Sequence, residues 1–406
     1  CSEQVTSSLA CPELCTDQSA ALRDTVLTGA VVLDTTFTGF PLLGETRDLA
    51  LVARGDTADV RIIARFDTLT PTTFLPPSPQ PDSLIAFVDS AAFLFQVDTT
   101  FQKPTVPITI DAFDVDTTAA DTVPATLLPL FRDDRRIGSA TYQVADVKDT
   151  LRLPITNAVV LDKVRNGKHL RIGLRMRAPQ STSLLVVGTT FTPRIRFRVS
   201  ADTTVKPDTV FLNSRTPATD ASIASSLAFY PLHAAGALPA PTSDRTAIGG
   251  IAGARTYMQF EIPAIVLDSV QIVRASLQLT QVPSRFAGGN QDTLTLITHP
   301  VVAGPAVTDI FTASQFLGSP ALAVFHVDTL RLIPRESGQR DLEIVRIVRS
   351  WRSVGTTRTV RALVLRAPEE GLRAGELNFY SIDAPDPAVR PRLRLTYVPR
   401  RGFGLP

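Results

Sequence analysis

Three cysteines, Cys1, Cys11 and Cys15, are the residues whose type and spacing most directly suggest chemistry. A cysteine at position 1 is expected to carry lipid, because bacterial lipoproteins are cut immediately before the cysteine whose sulfur is acylated. Cys11 and Cys15 enclose only Pro12, Glu13 and Leu14. In an oxidising compartment they are expected to pair, provided their Cα atoms approach to about 5–6 Å. Two free thiols in a leader segment are the alternative. A Cys-x3-Cys metal site lacks further ligands, since His169, His233, His299 and His326 are scattered and none lies near the N-terminus.

Constellations that would support a reaction are missing. The sequence contains no Gly-x-Ser-x-Gly elbow and no His-Glu-x-x-His. Gly249-Gly250-Ile251-Ala252-Gly253 lacks the Lys and Ser or Thr of a phosphate loop and reads as a flexible loop before the strand that holds Tyr257. Asp133-Asp134-Arg135-Arg136 reads as a solvated turn with self-compensating charge. Asp111, Asp114, Asp116 and Asp121 could contribute to a calcium site, which needs six to eight oxygens. Their spacing matches no loop signature, and the EF-hand glycine is absent. The expectation is a non-enzymatic chain with no catalytic residue, no metal ligand and no cofactor beyond the lipid.

The net charge of +2 is close to neutral, with Arg and Asp alternating along the chain. That argues against a nucleic-acid groove, which needs a basic stripe interleaved with aromatic residues. Five lysines stand against thirty-six arginines, a compositional habit to which no function attaches. No apolar run approaches the roughly 20 residues of a bilayer span, so membrane attachment is expected through the lipid alone.

The elements that position these residues are expected to be strands. Thirty-one prolines, abundant Thr and Val, and alternating apolar and polar residues point to β-structure throughout. Residues 60–66, 194–199 and 392–397 alternate most clearly; Leu393, Leu395 and Tyr397 share a face opposite Arg392, Arg394 and Thr396. Asp-Thr occurs twelve times, for instance at Asp24, Asp67, Asp98, Asp202 and Asp328, and reads as punctuation at strand entry and exit.

The chain repeats itself at an offset of about 190 residues. Residues 170–180 (Leu-Arg-Ile-Gly-Leu-Arg-Met-Arg-Ala-Pro-Gln) echo residues 360–369 (Val-Arg-Ala-Leu-Val-Leu-Arg-Ala-Pro-Glu). Each is followed by a closing strand that Pro-Arg introduces, at Pro193 and at Pro391, and residues 89–95 correspond to residues 273–279. This spacing predicts a duplicated domain. The expected fold is all-β, with two tandem antiparallel jelly-roll β-sandwich domains. The expected boundaries are a lipidated segment 1–28, a first sandwich 29–200, a linker 201–208, a second sandwich 209–399 and a tail 400–406.

Arg255-Thr256-Tyr257-Met258-Gln259-Phe260-Glu261-Ile262-Pro263, followed by Val270 and Ala275-Ser276-Leu277-Gln278-Leu279, resembles the opening strands of the DNRLRE family of extracellular β-sandwich modules. The segment from Asp341 to Trp351 resembles that family's short segment ending in tryptophan. Leu363 and Leu365 fall in its next strand, and Ser381, Asp383 and the run from Arg390 to Tyr397 resemble its closing loop and last strand. The match spans about 211–398; residues 30–200 match far less, with no tryptophan equivalent to Trp351. Members are similar to carbohydrate-binding modules, so the resemblance implies an extracellular module rather than a reaction.

Ile344, Ile347, Val348 and Trp351 follow the i, i+3, i+4, i+7 spacing of one helical face and are expected to pack as core. Tyr230, Tyr257, Phe379 and Tyr380 are candidate exposed platforms, although strand alternation explains them equally well. Two functions remain. One is a lipid-anchored structural or assembly subunit of a surface filament or envelope complex, on the outer membrane or cell surface. Its partners are further copies or a larger complex, and its termini, including residues 402–406, dock by adding a strand to an open sheet edge. The alternative is a lipid-anchored polysaccharide-binding protein.

Overall fold

The computed structural model describes residues 22–38, 48–53, 58–73, 83–100, 103–119, 123–202, 204–213, 228–234, 241–284, 293–301, 329–352 and 361–399. Cys1, Cys11, Cys15, Asp121, Asp328 and the 400–406 tail lie outside them. No helix among the described residues is long and apolar enough to cross a membrane.

The described chain opens with β1 (Arg23–Leu27) and β2 (Val31–Phe37). A first run of strands follows: β3 (Leu49–Ala53), β4 (Asp59–Phe66), β5 (Thr72–Thr73), β6 (Ser83–Leu84), β7 (Ser90–Asp98), β8 (Ile108–Asp114), β9 (Arg136–Tyr142), β10 (Thr150–Ile155), β11 (Leu170–Arg177), β12 (Thr182–Val187), β13 (Arg194–Arg198), β14 (Asp208–Phe211) and β15 (Phe229–His233). The second run is β16 (Arg245–Gly249), β17 (Arg255–Phe260), β18 (Val270–Val282), β19 (Leu294–Val301), β20 (Thr329–Leu332), β21 (Gly338–Glu343), β22 (Ala362–Arg366), β23 (Glu376–Tyr380) and β24 (Arg392–Pro399). The protein is all-β, and every pairing of named strands is antiparallel.

The second unit is a sandwich of two sheets. One runs β1-β24-β18-β23-β16, with β21 added on β18; the other runs β2-β17-β22-β19-β20. The first unit has the same plan: β14-β13-β7-β12-β3 with β10 added on β7, and β15-β4-β11-β8-β9. Its two halves are joined into one eleven-stranded sheet where β3 meets β4 at Val52–Val60 and Ala53–Asp59. The second unit has a single bridge, Gly249–Ala254, at that corner. The inward residues of each unit, such as Phe93, Phe95 and Leu174 in the first and Leu277, Leu363 and Leu395 in the second, form separate buried cores.

The internal repeat therefore extends over the whole topology, but the domains are not divided as expected. β1 comes from the segment assigned to the lipidated leader and β2 from the expected first sandwich, yet both are edge strands of the second unit, on β24 and β17. β14 and β15 precede the second core in sequence, yet pair with β13 and β4 of the first. Each core is preceded by two edge strands, and the two cores have exchanged them. The boundary at 200–208 cuts between β13 and β14, which are hydrogen-bonded neighbours. Composition marks a polar stretch there, whereas the fold is decided by which core each strand closes.

The corner turn of the second unit joins the two units. Gly249, Gly250 and Gly253 adopt positive φ (81°, 72° and 60°), a region open to glycine at little cost. The resulting tight hairpin closes through paired Gly249–Ala254 backbone bonds of 2.8 Å, and Gly371 N–H donates to Gly250 O at 2.8 Å. The glycine-rich segment, expected as a loop before the Tyr257 strand, is thus a hydrogen-bonded turn. Its tip, Ile251, packs with Ala374 against Ala50 and Val52 of β3, Val60 of β4 and the adjoining Ala58.

Candidate functional site

Ile344, Ile347, Val348 and Trp351 are buried in the second core, with the helix Val345–Ser350 carrying the middle pair. Trp351 packs on Phe260 with ring centroids 5.0 Å apart and tilted by 37°. Arg349 donates to Ile272 O at 2.6 and 2.9 Å, tying the helix to β18. The first unit has a helix at the matching place, Asn157–Arg165 between β10 and β11, burying Val160 and Val164. Tyr230, Tyr257 and Phe379 are fully buried and cannot serve as platforms; Tyr380 alone of the four is partly exposed.

Three of the aspartates weighed for calcium, Asp111, Asp114 and Asp116, have cationic partners. Asp111 accepts from Arg177 at 2.6 and 3.0 Å and from Ser139 at 2.8 Å. Burial alone would raise its carboxyl, but these bonds and the nearby arginines hold it below the usual range. Asp114 and Asp116 grip Lys163 from the helix, each at 3.0 Å. The chain of charge continues through Arg171, 3.9 Å from Asp116, to buried Asp67, which also accepts from Arg65 at 2.7 Å. Three cations answer three carboxylates. Among the described residues no cluster of His, Cys, Asp or Glu could hold a metal.

The exchanged edge strands carry the most unusual geometry. Each pair opens with Asp-Thr-Val, at 24–26 and at 208–210, but the two are seated one residue out of register against corresponding strands. Such a slip turns each side chain to the opposite face. Asp24 points outward, where hydrogen bonds from Arg394 (2.9 Å) and Thr396 (3.1 Å) hold its carboxyl below the ordinary range. Asp208 is half-buried; burial raises its carboxyl, and the Thr73 hydroxyl donates to it at 2.6 Å. Both arm strands leave apolar residues in solvent, including Val26, Val32 and Leu33.

Asp34 of β2 clasps the closing loop. It accepts the Ile382 N–H at 2.9 Å, while burial and neighbouring Asp383 raise its carboxyl to about 6. The Asp34 contribution to stability is fully present below the unfolded value near 4 and is lost as pH rises through about 6. Asp34→Asn keeps an acceptor for Ile382 and removes the charge. It is expected to be more stable than wild type at pH 7, with the difference vanishing near pH 4. Urea unfolding of both proteins across that range checks this; an unchanged difference refutes it.

Fold and site define an all-β protein of two strand-exchanging antiparallel sandwiches. No family model matches the chain, and no curated protein does. Among solved structures it is similar to the pilus backbone protein RrgB of Streptococcus pneumoniae, at 9% identity over 82% of this chain and 50% of that one, with a TM-score of 0.17. The chain thus spans half the length of that protein. It is similar to the structure BspA_C_WT at 8% identity over 90% and 91% of the two chains, TM-score 0.21. A third likeness, to infectious bursal disease virus of the Gt strain, has 11% identity over 97% and 78% of the two chains and a TM-score of 0.13.

Proposed function

We propose that this chain is a non-enzymatic structural or assembly subunit on the outer face of the cell envelope, held there by lipid on Cys1, which joins further copies by donating its N-terminal strands. The observation that carries this reading is the exchange itself: β1 and β2 close the second core across the length of the chain, while β14 and β15 already close the first. The arm contacts its host sheets along one edge each. The same pairing made to the second core of a neighbour leaves that neighbour's own arm for a third copy, and a heterologous contact that does not close propagates as a filament.

Val26 and Arg394 lie directly opposite one another in the β1–β24 ladder, within the reach of a disulfide. In a background with the native cysteines replaced by serine, Val26→Cys with Arg394→Cys is expected to give a ladder of covalent multimers on a non-reducing gel after oxidation at high protein concentration. Dilute protein should give an internally bridged monomer. A bridged monomer at every concentration overturns the proposal.

A further inference from the structure

The two units carry the same row of arginines, and only one neutralises it. On β24, Arg394 is held by Asp24 at 2.9 Å; on neighbouring β18, Arg274 is held by Glu343 of β21 at 2.8 Å. Asp341 of β21 stands opposite Gln278 and bonds it at 2.9 Å. In the first unit Arg194, Arg196 and Arg198 occupy the equivalent outward places on β13. The place of Asp341, opposite the matching residue of the central strand, is taken by Arg152, and that of Glu343 by Pro154. Thr209 faces Arg196 in the edge strand. An acid in one unit has become a base in the other.

The result is a cleft of about 190 Å³ over β7, with Ser90 and Ala92 on its floor, Arg152 on one wall, Arg196 and Arg198 on the other and Pro207 at its end. Among the described residues no carboxylate lines it. Arg198 donates to the Asp202 and Val205 carbonyls and lies near enough to the Asp202 carboxylate to help lower its pKa. The guanidinium groups of Arg152 and Arg196 have no hydrogen-bond or ion-pair partner among the described residues, while the Arg152 carbonyl accepts from the Tyr142 hydroxyl at 2.9 Å.

We propose that this cleft binds an acidic polysaccharide, seating its carboxylates between Arg152 and Arg196. Arginines alternating along β13 stand about 6.7 Å apart, and Arg152 faces them about 9.5 Å away across β7. That is a groove for a single extended chain with repeated anionic groups, and each guanidinium offers a carboxylate two parallel donors. Single-stranded nucleic acid would need open aromatic platforms. The adjacent rings, Phe191 and Phe211, are already engaged by the Arg194 guanidinium, 4.1 and 5.5 Å from their centroids, with Phe211 half exposed. A peptide adding as a strand would need open backbone groups, but β7 is paired on both sides. This site is independent of strand donation, so failure of either proposal leaves the other standing.

The test is calorimetric titration of the full chain with polygalacturonate at about 50 mM salt, with dextran, an oligothymidine and polyglutamate as comparison probes. Wild type is expected to bind polygalacturonate, less tightly as salt rises. Arg152→Ala with Arg196→Ala is expected to weaken that binding by at least about tenfold, while Arg346→Ala on the second unit leaves it unchanged. Both replaced side chains are exposed, so the melting temperature should not move. No binding of polygalacturonate, equal binding by the double variant, or equally tight binding of oligothymidine or polyglutamate through the same arginines overturns the proposal.

Discussion

Deleting residues 1–37 is expected to unfold the second sandwich and leave the first one folded. β1 contributes five paired positions and β2 six, each set completing a different sheet. At about 1 kcal/mol net per hydrogen bond, this approaches 10 kcal/mol, comparable with the 5–15 kcal/mol that holds a typical domain together. Burial of Ala30 and Val31 against the second core adds to the loss. The first unit keeps both its edge strands, because β14 and β15 follow it in the chain. Hydrogen exchange should show protection lost throughout 245–399 and retained through 48–234. A synthetic peptide of residues 22–38 should restore it. Protection of 245–399 without the arm would refute the strand exchange.

Glu370→Ala is expected to destabilise the second unit by about 3–5 kcal/mol, because it strands a buried guanidinium. Glu370 Oε1 accepts from Arg255 Nε at 2.9 Å, and Arg366 approaches the same oxygen at 3.2 Å. Both Arg255 and Glu370 side chains are only 3% exposed. Replacing the pair together, Arg255→Met with Glu370→Leu, removes both charges at similar volume and should fall close to wild type. The position magnifies the effect: Arg255 leads directly out of the Gly249–Ala254 turn, and Gly371, next to Glu370, bonds Gly250. Urea unfolding measures the difference; a Glu370→Ala protein within about 1 kcal/mol of wild type would show that the pair is not what holds this corner.

Much of the architecture is legible in local sequence. Alternation in Arg392–Tyr397 marks β24, the spacing of Ile344, Ile347, Val348 and Trp351 marks a core helix, and the echo between 170–180 and 360–369 marks equivalent strands β11 and β22. The exchange is not legible, because Asp-Thr-Val precedes both cores and nothing in the triplet says which core it closes. That choice lies in pairing between residues such as Asp24 and Arg394, 370 positions apart. The arginine cleft is hidden for the same reason. Arg194-Ile195-Arg196 and Arg392-Leu393-Arg394 read alike, and the difference resides in Arg152 against Asp341 on strands that only the fold brings alongside. The partner of Asp114 and Asp116 is equally hidden: it is Lys163, which a helix 47 residues on from Asp116 delivers to them.

The exchange also sets an order of events during synthesis. The arm is made before either core, yet its partner on β24 emerges some 370 residues later. At about 5–20 residues per second that interval is roughly 20–70 s. The first unit is complete well before then, since all its strands lie between β3 and β15. For that time β1 and β2 are strands without a sheet, and any finished chain whose second core is open presents them with the same groove that their own chain has yet to make.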